Sequence, residues 1–366
     1  MPVVKHFLDV GVDQMARERM EHIFDIFDTV AVMFSGGKDS LVCLHMAWQV
    51  AQERGMDNIH VIFMDEEVLP DSVIDFVDKY RQEPWVNMHW FCIPLRNTKF
   101  VLGQTEHIVA WNPDRKWVRD MPEWSIKRRE HDPEIFRQQE NMDRYVIDRC
   151  GFKGKVAFVL GIRAIESITR YRSVVNKLNE NYINSTKCKE LKLCKPVYDF
   201  EENDVFKWLY DNNVDWCYQY DMAHLAGGRM RISTPLHSEA AKHFALWRKM
   251  DPDFYERVVK VWPEMLLQER YYSEYDRDGM IRRYLPDGYQ GCLNYIEENI
   301  KEDTQPKALK CAQDFLVLHN GDPMAYPIRL LLQNLVRGVF HRTIMPLCLE
   351  DQEAEAGIVK RLMEKK

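Results

Sequence analysis

The sequence predicts an α/β protein: a parallel sheet with helices on both faces, followed by a mostly helical C-terminal part. Three observations carry this expectation. Short apolar, β-branched runs alternate with stretches of helical periodicity through the first half of the chain. A pair of glycines, Gly36 and Gly37, stands at the first strand-to-helix junction. Beyond about residue 215 helical stretches continue, and no further run reads clearly as a strand.

The elements follow in order. Residues 12 to 27 place Val12, Met15, Met20, Ile23, Phe24 and Phe27 on a helical stripe that packs on the core. The first strand is Thr29 to Phe34 (TVAVMF), and the helix after the glycine turn is Leu41 to Ala51, with Leu41, Leu44, Ala47, Trp48 and Ala51 at helical spacing. A second strand, Ile59 to Met64, ends at Asp65, Glu66 and Glu67, and a helix from Asp71 to Tyr80 starts behind Pro70. A third strand is Met88 to Ile93, and a further buried strand is Val156 to Leu160. A helix over 204–210 follows. Helical stretches at 238–250, 252–270, 289–300, 305–318 and 325–341 complete the chain. The expected domains are therefore 1–210, with an insertion at about 97–150, and a helical 211–366.

Composition narrows the class. With 46% hydrophobic and 29% charged residues among 366, the chain can bury a sizeable core. Its net charge of -7 gives no global attraction to nucleic acid. The first residues, MPVVKHFLDVGVDQ, carry acids where a secretory signal has its apolar stretch, and no run of 18 apolar residues occurs, so a cytoplasmic location without a membrane span is expected. Nine cysteines at irregular spacing, without a C-x-x-C pair, read as reduced thiols.

Candidate chemistry gathers where parallel strands end. Ser35-Gly36-Gly37-Lys38-Asp39-Ser40 lies between strand and helix, where successive amides and the positive end of the helix dipole make an anion site. Asp65 falls at the same edge of the sheet, the edge at which such folds bind ligands. If 161–172 (GIRAIESITRYR) is helical, Arg163, Glu166 and Arg170 share one face and the arginines grip phosphate or sulfate oxygens; a ladder of surface ion pairs is the alternative. Residues 111–129 interleave Trp111, Trp117 and Trp124 with Arg115, Lys116, Arg119, Lys127, Arg128 and Arg129. Two readings stand for that stretch: a track for a nucleic-acid backbone, or an insertion whose tryptophans pack on the core while its cations stay solvated.

The hexapeptide matches S-G-G-x-D-S, the signature of the PP-loop ATP pyrophosphatases, and differs in spacing from the G-x-x-x-x-G-K-[ST] loop. GIRAIESITRYR resembles the G-x-R-x-x-E-S-x-x-R element of the phosphoadenosine phosphosulfate (PAPS) reductase branch. KPVYDFEENDVFKWL at 195–209 resembles the P-x-x-D-W-x-x-x-D-V-W stretch of that branch, with Phe200 in place of its tryptophan. YQYDMAHLAGGRMRISTPL at 218–236 and WRKMDPDFYERV resemble the IbrA/YbdN-like bacterial and phage proteins of the PAPS-reductase-like family, so the resemblance reaches about residue 265.

That resemblance implies an adenine-nucleotide α-hydrolase-like fold and ATP, or PAPS or APS, as ligand. PP-loop enzymes cleave ATP between the α- and β-phosphates and adenylate a substrate oxygen. The residues implied to hold the nucleotide are Ser35, Gly36, Gly37, Lys38, Asp39, Ser40, Asp65, Gly161, Arg163 and Arg231, with Asp39 and Asp65 as candidate Mg²⁺ ligands. Lys38, Asp39, Arg163, Glu166 and Arg170 are the catalytic candidates, Glu166 orienting the two arginines. Sulfonucleotide reductases attack sulfur with a cysteine in an E-C-G-x-H element, which this chain lacks; Cys348 has neither the glycine nor the histidine beside it. An iron–sulfur cluster is not expected, since only Cys188 and Cys194 stand near one another. Four functions stay open: substrate adenylation, thioredoxin-dependent sulfonucleotide reduction, sulfur modification of a nucleic acid, and nucleotide sensing by a regulator or defence factor. The IbrA resemblance also implies a ParB-like partner protein.

Overall fold

The structure, a computed structural model, describes residues 9–136, 139–175, 179–228, 231–272 and 277–347. Nine strands are present among them: β1 Thr29–Met33, β2 Ile59–Met64, β3 Val86–Cys92, β4 Arg96–Val101, β5 Gln104–Val109, β6 Ile126–Lys127, β7 Val156–Leu160, β8 Ile183–Ser185 and β9 Leu191–Cys194. Seven form one sheet in the order β6-β3-β2-β1-β7-β9-β8, while β4 and β5 pair as a separate hairpin. Every pairing in the large sheet is parallel except β8 with β9. β2 and β7 coincide with the runs expected from sequence, and β1 and β3 lie within two residues of theirs. The sheet is therefore mostly parallel, as the alternation of strand and helix implies.

The parallel register requires crossovers, and the helices supply them: α1 Val12–Ile26 precedes β1, α2 Lys38–Glu53 links β1 to β2, α3 Asp71–Arg81 links β2 to β3, and α4 Gln139–Cys150 leads into β7. Right-handed crossovers put α2 and α3 on one face, and the reversal of direction from β3 back past β1 puts α4 on the other. Thus the sheet is buried on both sides, which is why β1, β2 and β7 are near-continuous apolar runs. Val32, Leu41, Leu44, Val61, Ile62, Phe91 and Val159 belong to the resulting core, each at most 1% exposed. The order of strands reverses between β1 and β7, so the loops after these two strands face one crevice.

Two departures from the sequence reading concern weak local signals. The lysine-rich stretch around β8 and β9 adds two short strands to the edge of the sheet, with Asn184 opposite Leu193 in antiparallel register. Three-residue and four-residue strands carry too little periodicity to be read alone. In the expected 161–172 helix, Ala164–Glu166 is a turn of 3₁₀ helix, Ser167 is extended, and α5 runs only over Ile168–Val175. Arg163 and Arg170 therefore do not share a helical face; they belong to two short elements.

The chain divides into two compact units, and the division does not fall at 210/211. Residues 107–266 group with the sheet, while 100–106 group with the chain from 267 onward. The sheet unit continues through α6 Glu202–Asp211 and α7 Gln219–Leu225. Docked against the sheet unit's α3, Cys217 and Tyr220 form a small apolar cluster with Val73, which explains why this segment stays with the sheet. In the second unit, helices Arg277–Tyr284, Gly288–Asn299, Gln305–Gly321 and Ile328–Val336 share a core containing Ile296, Phe315, Leu331, Leu332 and Leu335. Among the described residues no helix is long and apolar enough to cross a membrane.

Candidate functional site

The hexapeptide caps the central strand. After β1 the Phe34 amide still donates to Ile62 O at 2.9 Å, and the chain then turns at Gly36, whose φ of +76° is left-handed. A side chain there would be strained and would press on Val73 and Val77 of α3, 3.1 Å from its Cβ. Ser40 ties the turn: its Oγ donates to Gly37 O at 2.9 Å, accepts from the Ser35 amide at 3.2 Å and lies 3.1 Å from Ser35 Oγ. The hydroxyls of Ser35 and Ser40 thus hold the loop in shape. Helix α2 begins at Lys38 without a side-chain cap. Its first turn leaves N–H groups without intrahelical partners, and those of Asp39 and Ser40 make no hydrogen bond among the described residues. They form a cradle for an anion.

Gly161, at the end of β7, lies directly against this cradle. A Cβ at that position would sit 2.3 Å from the Ser40 amide nitrogen and 2.4 Å from the Asp39 carbonyl carbon. No side chain fits between the end of β7 and the first peptides of α2, so the glycine acts by letting the two backbones approach.

Arginines reach the cradle from the loop after β7. Arg163 is 5% exposed, and its Nε stands 2.5 Å from Asp39 Oδ1 in an ion pair without hydrogen-bond alignment. Glu166 accepts from the Arg163 amide at 3.2 Å and pairs with the Arg170 guanidinium. It therefore orients Arg170 directly, and Arg163 only through the backbone turn. Burial, with the charges of Arg231 and Arg163 nearby, holds Arg170 below its ordinary pKa despite Asp39. Burial and Arg170 depress buried Lys195 in the same way, and burial and Arg231 depress His237. Such mutual repulsion marks a concentration of positive charge that an anion would relieve. Lys195 and His237 belong to this group although no spacing in the sequence singled them out; Lys195 opens the 195–209 stretch that resembles the PAPS-reductase-like proteins, and His237 directly follows the 218–236 stretch.

Lys38 is placed differently from expectation. Its side chain is 4% exposed, with Nζ 3.2 Å from Glu202 Oε1, 3.6 Å from Asp39 Oδ2, and 5.2 Å from the Tyr220 ring centroid. Its charge is shared with protein carboxylates and aromatic faces behind the loop. Glu66, beyond β2, carries a half-buried carboxyl pushed up to about 7 by desolvation and by the charge of Asp65.

Asp65 does not fit a metal ligand. It is fully buried, Oδ2 accepts from the Trp90 indole at 2.9 Å, and Oδ1 accepts from the Glu67 amide at 2.9 Å and from Arg119. Asp39 faces Lys38 and Arg163. Among the described residues no cluster of three or more His, Cys, Asp or Glu is arranged to hold a metal ion. Asp39 and Asp65 thus both face protein cations.

The basic and aromatic stretch at 111–129 is largely turned inward. Glu67, fully buried, accepts from Arg115 at 2.7 Å, from the Trp111 amide at 2.7 Å and from the Val118 amide at 3.1 Å. The Trp111 indole donates to Asp65 O at 2.7 Å. Arg129 is bound by Asp132. Buried Asp65 and Glu67 at the end of β2 need counter-charges, and Arg119 and Arg115 provide them. Lys116, Trp124, Lys127 and Arg129 remain exposed. Of the cysteines, Cys43, Cys92, Cys188, Cys194, Cys217 and Cys292 are buried, and desolvation raises the pKa of Cys217 to about 11 and of Cys292 to about 12. Cys348 lies outside the described residues.

The chain is similar to known proteins over more than half of its length. The profile of the phosphoadenosine phosphosulfate reductase domain matches residues 29–258, which contain every candidate site residue. The uncharacterized protein YbdN of Escherichia coli is 26% identical over 272 residues, covering 69% of this chain and 66% of that protein. The uncharacterized protein MJ0973 of Methanocaldococcus jannaschii is 25% identical over 254 residues, 69% of this chain and 50% of that protein. The chain thus spans about half to two thirds of the length of these relatives. Among solved structures, Candida glabrata FMN adenylyltransferase (12% identity, TM-score 0.38, covering 60% of this chain and 64% of that one) and a Candida auris PAPS reductase (11%, 0.35, 63% and 97%) are remote likenesses. With the profile spanning more than half of its length, from the central strand to the helices beyond the sheet, the chain belongs to the phosphoadenosine phosphosulfate reductase domain family.

Proposed function

We propose that the chain binds an adenine nucleotide with its phosphates in the cradle at the start of α2, and that it activates an acceptor by adenylation with release of pyrophosphate. One observation carries this reading: the open amides of Asp39 and Ser40 and the cations Arg163, Arg170, Lys195 and Arg231 converge where the sheet changes direction. In the reaction an acceptor oxygen attacks the α-phosphorus, the bond from that phosphorus to the bridging oxygen breaks, and pyrophosphate leaves with the electron pair. The cradle amides would fix the phosphates, and the arginines would take up negative charge on the leaving group. No step is assigned to a metal ion, because Asp65 is consumed by protein partners.

Pyrophosphate release from ATP, measured with wild type and Arg163→Met, tests the reading. Turnover by wild type that is lost in the variant supports it; equal turnover in both overturns the role of this cluster. Nucleotide binding without any product would favour the sensing function.

A second reading rests on family membership, namely reduction of a sulfonucleotide such as PAPS. Cys348 is the thiol to test for it, since burial raises the pKa of Cys43, Cys92 and Cys150. Sulfite release from PAPS that disappears in Cys348→Ser would replace the adenylation reading with this one.

A further inference from the structure

Tyr220 stands 182 residues from Lys38 in the chain, yet its Oη accepts the Lys38 amide hydrogen at 2.9 Å. The ring is 2% exposed and is held by Phe206, Cys217 and the Lys38 ammonium. Its neighbour Gln219 is anchored in turn, accepting from Ser72 Oγ at 2.9 Å. Placement is therefore rigid, and it points the hydroxyl at the loop: a Cβ on Gly37 would lie 3.4 Å from that oxygen. The oxygen accepts from the amide, so its own proton is left to donate, and among the described residues nothing accepts it. A buried hydroxyl donor without an acceptor is costly and is ordinarily matched by a partner.

We propose that Tyr220 is a ligand-binding residue, delivering its hydroxyl proton to an oxygen of the phosphate seated on the loop. This inference rests on the nucleotide reading given above. The Lys38 amide and the phenol then form a relay in which the amide polarises the hydroxyl and the hydroxyl meets the anion, each hydrogen bond strengthening the next. Tyr220 would thus extend the anion site from the loop's own backbone to the segment that follows the sheet. That segment would read whether a phosphate is present, because only then is the hydroxyl fully satisfied.

The test uses isothermal titration of the full chain with ATP and with adenosine. Tyr220→Phe keeps the ring and removes the hydroxyl, so ATP should bind at least about tenfold more weakly, roughly 1.4 kcal/mol, while adenosine affinity stays unchanged. Replacing Tyr220 by 4-aminophenylalanine, which retains a donor at the same place, should restore most of the lost affinity and covers the case in which the phenylalanine variant folds poorly. Equal or tighter ATP binding by Tyr220→Phe, or an equal loss for adenosine, overturns the proposal. Wild-type protein that binds no nucleotide would instead defeat the reading beneath it.

Discussion

Replacing Gly161 by alanine tests how the end of β7 and the phosphate cradle depend on each other. The added methyl would meet the Ser40 amide nitrogen at 2.3 Å, the Asp39 carbonyl carbon at 2.4 Å and the Asp39 carbonyl oxygen at 2.6 Å. These are backbone atoms, so no side chain can swing aside. β7 is paired to β1 on one side and β9 on the other, and α2 is fixed by Leu41, Leu44 and Ala47, all fully buried. Relief requires a shift of about 1 Å, since apolar atoms in ordinary contact stay near 3.5–4 Å apart. Overpacking of this kind costs about 1–3 kcal/mol. With a urea slope of about 2 kcal/mol/M, the midpoint should fall by roughly 0.5–1.5 M. The same shift misaligns the Asp39 and Ser40 amides, and loss of one hydrogen bond to a charged group is worth about 1.5–3 kcal/mol, so ATP should bind about ten- to hundredfold more weakly. Gly55→Ala is the control, because Gly55 also has a positive φ of +73° but no atom within 4 Å of its Cβ position. It should lower the urea midpoint modestly and leave ATP affinity alone. A Gly161→Ala protein that matches Gly55→Ala in both measurements would refute the reasoning.

Two further predictions concern electrostatics. Glu66→Gln removes a carboxyl whose folded pKa is raised to about 7 from 4.5. The folded state binds that proton more tightly than the unfolded state, so wild-type stability from this group is present below pH 4.5 and is lost as pH rises through 7. The variant should therefore gain on wild type between pH 5 and 8, by on the order of 1–2 kcal/mol after allowance for partial exposure; parallel urea midpoints across that range would exclude it. Arg19 binds Asp199 through two hydrogen bonds of 2.7 Å, donates to Pro196 O at 2.8 Å and lies 4.5 Å from the Tyr198 ring centroid. Arg19→Met should destabilise the protein by about 2 kcal/mol, with partial recovery in Arg19→Met/Asp199→Asn, measured as a double-mutant cycle; additivity of the two changes would show that the pair is not coupled.

The sequence by itself determined the parts of this protein that are written locally. Apolar runs of five or six residues marked β1, β2 and β7, because a strand buried on both faces needs apolar side chains at successive positions. The two glycines and the following helix marked the cradle, because a sharp turn with exposed amides needs residues without side-chain obstruction. Arg163, Arg170 and Arg231 were legible as anion candidates, although the helical face assigned to the first two was not the arrangement found. Tertiary structure decided the rest. Sheet order set β7 beside β1 and so placed Gly161 on the Ser40 amide. It also gave Asp65 to Arg119, 54 residues away, which removed that carboxylate from the candidate metal ligands and turned a basic, tryptophan-rich stretch inward. Tyr220 could not have been found from spacing, since its partner is an amide of Lys38 and a backbone group carries no signal in the sequence. Periodicity reports which face of an element is buried; only the packed chain fixes which neighbour fills the space and which buried charge it must answer.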